Sequence, residues 1–351
     1  MEAVRIGVIG CGVIGGAHLK VASTSPLLQL AAAADLQPEA LKKAEESFEI
    51  SSVYTSADEL IADPRVEAIV LAMPARFRLP LALQAFAAGK HVLTEKPVAM
   101  NAGDVQTMID AKGDLVAGCC SSRLRFLRGA EVARGFLAGG GLGKLRVVRC
   151  RAIRSANKKP QTTPPAWRLS KSFNGGGILM NWGCYDLDYL LGIAGWSLKP
   201  RQAFAHTWPV PSPFESHIAP GSDAEAHFAA LIGCEGGAVI SFERGEYVAA
   251  EVDEAWQIIG DRGSLRLNIM AEDHKTIWYD EADEIEGVIT KPLWEGSEDS
   301  NASHDGPLTD FARAIRENGQ TLTTLENALV VQKISDAIYA SAEQGTAVEI
   351  D

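Results

Sequence analysis

Over the first 120 residues, short runs of nearly continuous apolar residues alternate with stretches whose apolar positions recur every three or four residues. The runs at 4–10, 28–34, 52–54, 68–72, 91–94 and 115–119 have the composition of strands buried on both faces. With helical patterns between them, they predict an α/β domain built on a parallel, doubly wound sheet. The helix ends carry their own signals. Pro38 suits a first helical position, Ser56 with Glu59 forms a capping box, Asn101 can cap, and Gly89 follows the helix predicted over 79–88.

Beyond about residue 122 the pattern turns to longer strands joined by hairpin turns. One pair, 224–232 against 238–242, closes across Gly-Cys-Glu-Gly-Gly, and another, 256–259 against 264–267, across Gly-Asp-Arg-Gly. These predict an α+β domain with a large, mainly antiparallel open sheet. Two helices should follow, one from about Pro307 to Gly319 and one opening on a Thr323–Glu326 capping box and stopping at Gly345. The proline-rich segments 159–165 and 209–220 and the acidic segment 280–286 read as irregular surface. The expected division is therefore 1–122 and 123–351, two domains for 351 residues.

Charge and cysteine usage narrow the function classes. A net charge of −12 opposes binding to nucleic acid or anionic lipid. No apolar run approaches the roughly 18 residues of a membrane helix, and the apolar, glycine-broken start reads as strand and turn rather than a signal peptide. The six cysteines show neither zinc-site nor disulfide-framework spacing, which fits reduced thiols in a cytoplasmic protein. The seven histidines do not cluster as metal ligands do. His18, His206, His217, His227, His274 and His304 are expected on the surface or in the sheet, and His91 in a buried strand, so no metal is predicted.

The first candidate chemistry is Gly10-Cys11-Gly12-Val13-Ile14-Gly15, between a strand and a helix. Gly10 can make the tight turn, Gly12 can admit a pyrophosphate to the backbone, and Gly15 can let helix and strand close up, with the helix N-terminus facing the phosphates. Alone this is only a tight turn. Asp35, twenty residues on at the end of the second strand, makes it a dinucleotide fingerprint by offering a carboxylate to the ribose hydroxyls. NAD is expected over NADP, because Asp35 repels a 2′-phosphate and Leu36 and Gln37 supply no cation.

Glu95-Lys96-Pro97 ends the fifth strand, and Pro74 ends the fourth. Together with the fingerprint, these motifs resemble the Gfo/Idh/MocA family of oxidoreductases. The resemblance continues through Trp167-Arg168, Gly175-Gly176-Gly177, Gly183, Asp188, the 260–263 turn and Asp310-Phe311, nearly the whole chain. It implies that Lys96 is catalytic and substrate-binding, that the following proline peptide is often cis, and that Met73, Pro74, Glu95 and Lys96 extend the cofactor site formed by Gly10, Cys11, Gly12, Val13, Ile14 and Asp35. It also points to Arg123 in the substrate region.

Many members carry Asp, then His four residues on, then Asp three beyond; here the positions hold Asn181, Tyr185 and Asp188. Those spacings put amide, phenol and carboxylate on one helical stripe. The glucose-fructose oxidoreductase and dihydrodiol dehydrogenase branches look similar in placing Tyr there, so Tyr185 is the candidate acid/base. A phenol ordinarily titrates near pH 10 and becomes usable near neutrality beside an ammonium such as that of Lys96. Trp167 and Arg168 suit a polyhydroxylated substrate, to be bound with Lys96, Arg123, Asn181, Tyr185 and Asp188. A second departure is Met73-Pro74-Ala75 with Arg78, where many relatives read Thr-Pro-Asn and His.

Three functions fit. One is an NAD-dependent dehydrogenase acting on a secondary alcohol of a sugar, sugar derivative or cyclitol. Another is a redox-neutral enzyme that cleaves glycosides with a retained NAD. The last is a non-catalytic regulator responsive to sugar or dinucleotide, which has no need of Lys96 or Tyr185. A broad face of the second sheet is expected to form a homodimer or homotetramer.

Overall fold

The computed structural model describes residues 2–351. The chain forms two units, one of residues up to Arg123 together with Asn301–Leu329, the other of Leu124–Ser300 with Val330–Asp351.

The first unit runs β1 (Val4–Ile9), α1 (Val13–Thr24), β2 (Leu28–Ala34), α2 (Pro38–Ser47), β3 (Val53–Tyr54), α3 (Ala57–Ala62), β4 (Ala68–Leu71), α4 (Arg78–Ala87), β5 (His91–Thr94), α5 (Ala102–Ala111) and β6 (Ala117–Cys119). Its six strands lie in the order β3-β2-β1-β4-β5-β6, and every pair is parallel. This is the doubly wound sheet expected, and strand alternation shows why the runs had to be apolar throughout. In β4, Ile69 and Leu71 enter one core layer while Ala68 and Val70 enter the other. Ser56 and Asn101 cap α3 and α5 through bonds from the backbone of Asp58 and Asp104.

The second unit contains α6 (Arg128–Ala138), β7 (Leu145–Ser155), α7 (Lys171–Asn174), α8 (Cys184–Ile193), β8 (Pro200–Trp208), β9 (His227–Cys234), β10 (Val239–Val248), β11 (Asp253–Gly260), β12 (Gly263–Leu267), β13 (Lys275–Asp283) and β14 (Gly287–Gly296). There follow α9 (Asn301–Glu317), α10 (Leu325–Gln344) and β15 (Val348–Glu349). The nine-stranded order is β14-β13-β12-β11-β7-β10-β9-β8-β15, antiparallel except for β7 beside β10. Its inner face buries residues such as Phe228 and Phe242, whose rings meet edge to face at 4.7 Å, and every residue of α8 is buried. The outer face leaves Phe204, Trp208 and Leu231 in solvent, with Phe204, His206, Trp208 and His227 forming a row of ring contacts.

Four local expectations change. The acidic segment 280–286 lies in the β13–β14 hairpin at the sheet edge, where Asp280 pairs with Arg266 and Glu281 with Lys291, and its run of acids conceals its strand pattern. Helix α9 begins at Asn301, and Pro307 lies within it rather than at its start. At the start of α10, Thr324 accepts from the Asn327 amide at 3.2 Å, a bond outside the Thr323–Glu326 pattern. Residues 301–329, expected in the second domain, belong to the first unit, because Leu308, Phe311 and Ile315 complete the apolar layer of Ile6, Val8 and Leu19. Each such side chain stabilises by about 1.5–3 kcal/mol when fully buried.

Candidate functional site

The nucleotide fingerprint is formed as its residues require. Gly10 has φ +93°, and a Cβ at Gly15 would stand 1.8 Å from the Gly10 carbonyl oxygen, so helix and turn can approach this closely only with glycine. Around Gly12 there is open space, and Val13 and Leu36 are almost wholly exposed. The Asp35 carboxylate accepts from the amides of Cys11 (2.6 Å) and Gln37 (2.8 Å), which fixes it at the rim of the turn with lone pairs to spare for hydroxyls. Burial, reinforced by Asp35, pushes the Cys11 thiol up to about 12, leaving it an uncharged wall residue. Open backbone at Gly12, a helix N-terminus and a fixed carboxylate fit a dinucleotide. Ile14 lies on α1 just inside this turn.

At the carboxyl end of β5, Glu95 is buried at the centre of a polar cluster. One oxygen accepts from His18 Nε2 (2.9 Å) and Arg123 Nη2 (3.4 Å), and the other from the Lys96 amide (3.0 Å). Burial would raise this carboxyl, but the His18 hydrogen bond and the charges of Arg123, His18 and Lys96 outweigh it and hold it below the usual range. Lys96 is thus set on a rigid turn, with a cis peptide to Pro97. Two expectations change here. His18 is not a surface or sheet residue: α1 buries it against Glu95. Arg123 engages Glu95 within the first unit. His18, Glu95 and Cys120 could approach one metal ion, but Arg123 already balances the carboxylate, and burial holds the Cys120 thiol well above its usual value, with Glu95 adding to the shift.

Arg78 is the residue whose role sequence reasoning missed. Almost fully buried, it donates from Nε to the Met73 carbonyl (2.8 Å), from Nη1 to the carbonyls of Glu95 and Pro97, and from Nη2 to that of Lys96 (3.3 Å). One guanidinium therefore ties the turn after β4, with Met73 and Pro74, to the Glu95-Lys96-Pro97 turn. Its planar fork of donors suits this task as a lysine would not.

In the second unit, Gly175-Gly176-Gly177 leads into a wide π turn over Leu179–Gly183 that continues as α8. Glu225 anchors the entry, accepting from the amides of Gly177 (2.8 Å) and Leu179 (3.0 Å) and from the Tyr339 hydroxyl (2.9 Å). A Cβ at Gly177 would lie 1.9 Å from the Glu225 carbonyl oxygen. Burial raises the Glu225 carboxyl above its ordinary value despite these donors.

Asn181 is half-buried in the π turn, and Tyr185 lies in α8 with its ring 5.5 Å from that of Trp182. Asp188 does not share their role: it is fully buried and its carboxylate accepts from Arg125 Nε at 2.7 Å. Truncating either partner of such a pair is costly because the other charge is left buried. A second internal pair, Asp186 with Arg244 (2.5 and 3.0 Å) and Trp256 Nε1 (2.9 Å), was not anticipated either. Trp167 is 46% exposed, and Arg168 bonds Glu246 at 2.6 Å.

The model described as "Oxidoreductase family, NAD-binding Rossmann fold" matches residues 4–114, and that of the GFO/IDH/MocA C-terminal domain matches residues 131–266. The chain is 24% identical to levoglucosan dehydrogenase of Pseudarthrobacter phenanthrenivorans, with 100% of this chain and 99% of that protein aligned. It is 32% identical to trans-1,2-dihydrobenzene-1,2-diol dehydrogenase of Mus musculus over 58% of this chain and 60% of that one. Among solved structures, levoglucosan dehydrogenase in complex with NADH and L-sorbose matches at TM-score 0.84 and 21% identity, with 100% of both chains covered.

Proposed function

The chain belongs to the Gfo/Idh/MocA family of NAD-binding oxidoreductases, and on that premise we propose that it moves a hydride between NAD and a secondary alcohol of a sugar, sugar derivative or cyclitol. NAD, when bound, supplies the hydride acceptor at its nicotinamide. Gly10–Gly15 receive the pyrophosphate and Asp35 the ribose hydroxyls. Lys96 polarises the reacting oxygen, Tyr185 exchanges its proton, and Asn181 donates to a neighbouring hydroxyl. Asp188 takes no substrate hydroxyl in this reading, since Arg125 engages its carboxylate.

The observation that carries the reading is the Arg78 clamp. A buried arginine holding two turns at the carboxyl ends of β4 and β5 fixes the backbone of Lys96 at the sheet edge where doubly wound folds bind their ligands. The relatives named above act, by their names, on levoglucosan and on a cyclic diol, and ring alcohols of that kind match the hydroxyl-directed donors here. The test is a screen of NAD and NADP reduction across sugars, cyclitols and glycosides. Reduction of NAD by at least one ring alcohol is expected. If the chain binds NADH yet reduces NAD with none of them, the reading fails.

A further inference from the structure

In the second unit, a cavity of about 540 Å³ opens at the carboxyl ends of the neighbouring strands β7 and β10, a size common for small-molecule sites. Arg244, Glu246 and Tyr247 of β10 line it together with Arg168 and Trp182.

Two features mark it as a built site. First, β10 carries an extra residue against β7: Gly245 pairs with Ile153, but it is Val248 that pairs with Ser155. Tyr247 lies within this bulge at φ +58°, a strained conformation for a bulky side chain. Alternation sends Arg244 and Glu246 to one face, and the bulge adds Tyr247 to the same wall. Second, Glu246 Oε2 accepts from Arg168 Nη2 at 2.6 Å, while its other oxygen, also buried, has no protein partner. Leaving a buried acceptor unmatched is costly, which favours a ligand that brings a donor.

The wall also selects the charge of that ligand. The guanidiniums of the wall are each paired, Arg168 with Glu246, Arg244 with Asp186 and Arg154 with Glu254, while Lys158 is exposed, so neither an anion nor a cation meets an open counter-charge among the buried groups. A hydroxyl, which donates to Glu246 and accepts from Arg168, meets no like charge. Trp182 lines the cavity and also touches Tyr185 ring to ring, so the space begins one side chain away from the phenol assigned to proton exchange.

We infer that this cavity is a subsite for a second, neutral, hydroxylated ring, with Glu246 and Arg168 reading hydroxyls of the ring that does not react. The inference rests on the dehydrogenase reading and narrows its substrates to glycosides of disaccharide size. The experiment compares cellobiose, maltose and lactose with D-glucose and D-galactose as reductants of NAD, in the wild type and in Glu246→Gln. The disaccharide-to-monosaccharide ratio of kcat/KM should favour the disaccharides in the wild type and fall about 10- to 100-fold in the variant, with NADH affinity and melting temperature confirming that the variant folds. A wild type that prefers the monosaccharides, or a ratio unchanged by Glu246→Gln, overturns the subsite and leaves the dehydrogenase reading intact. Should no sugar be oxidised, that reading fails instead, and calorimetry of the NADH-loaded protein with the same disaccharides decides the subsite. Binding that is lost in Glu246→Gln supports it, and no binding to the wild type overturns it.

Discussion

Removing the Arg78 side chain should damage the first unit and the cofactor site together. Arg78→Ala strips donors from the carbonyls of Met73, Glu95, Lys96 and Pro97, of which that of Glu95 keeps a bond from Thr94 Oγ1. Counting only two of these bonds, at about 1.5–3 kcal/mol each for a charged donor, gives a loss of roughly 3–6 kcal/mol. At about 2–4 °C per kcal/mol the melting temperature should drop by about 6–24 °C. Arg78→Lys keeps the charge but offers a single nitrogen to carbonyls in two turns, so its loss should fall between wild type and Arg78→Ala. Thermal melts with and without NADH, with NADH fluorescence titration, are the assay. Because the proposed cofactor site includes both turns, NADH affinity should weaken severalfold even in Arg78→Lys. An Arg78→Ala protein that melts within about 2 °C of wild type and binds NADH equally well would refute the clamp.

Four other outcomes follow from the same structure. Asp35→Ser should relax the preference for NAD, and a wild type with the better kcat/KM for NADP would show that Asp35 does not bind the ribose. Tyr185→Phe should lower kcat by about 10²- to 10⁴-fold with NAD affinity nearly unchanged, and Lys96→Ala should cost at least as much; a Tyr185→Phe enzyme that keeps most of its turnover moves proton exchange to another group. Leu231, 55% exposed on the outer sheet face, should lie in a contact between copies of the chain; light scattering should give at least twice 37.5 kDa for wild type and a smaller mass for Leu231→Glu, and a 37.5 kDa wild type at micromolar concentration ends the idea. Glu95 has a folded pKa below its unfolded value of about 4.3, so it stabilises above that value and the contribution is lost as pH falls. Glu95→Gln should therefore flatten the decline of melting temperature below about pH 5, whereas a decline as steep as wild type assigns acid sensitivity to other groups.

The parts legible in the sequence were those written in short-range patterns. Continuous apolar runs marked β1, β2, β4 and β5 because both faces of each are buried, and the distance from Gly15 to Asp35 is set by one helix and one strand. Interactions between distant residues left no such trace. Arg78 bonds carbonyls 17 to 19 residues away, and backbone acceptors carry no sequence signal. Asp188 fell on the expected helical stripe, yet its fate depends on Arg125, 63 residues earlier. Periodicity gives the side of a helix a residue occupies, and the choice between an open carboxylate and a neutralised one is made by a partner it cannot show. The β13–β14 ribbon escaped for the opposite reason, since its local pattern was masked by its run of acidic residues.

The assignment of residues 301–329 to the first unit also bears on synthesis. A ribosome delivers all of β1 to β6 long before it delivers Leu308, Phe311 and Ile315, with eight of the nine strands of the second unit's large sheet, β7 to β14, emerging in between. Until then, one apolar layer of the nascent sheet lacks the helix that covers it. Domains generally fold in the order they emerge, and exposed apolar surface on an incomplete one promotes aggregation. The nucleotide-binding unit should thus be the first to start folding and among the last to finish, and chaperone dependence should concentrate in the interval between residues 123 and 301.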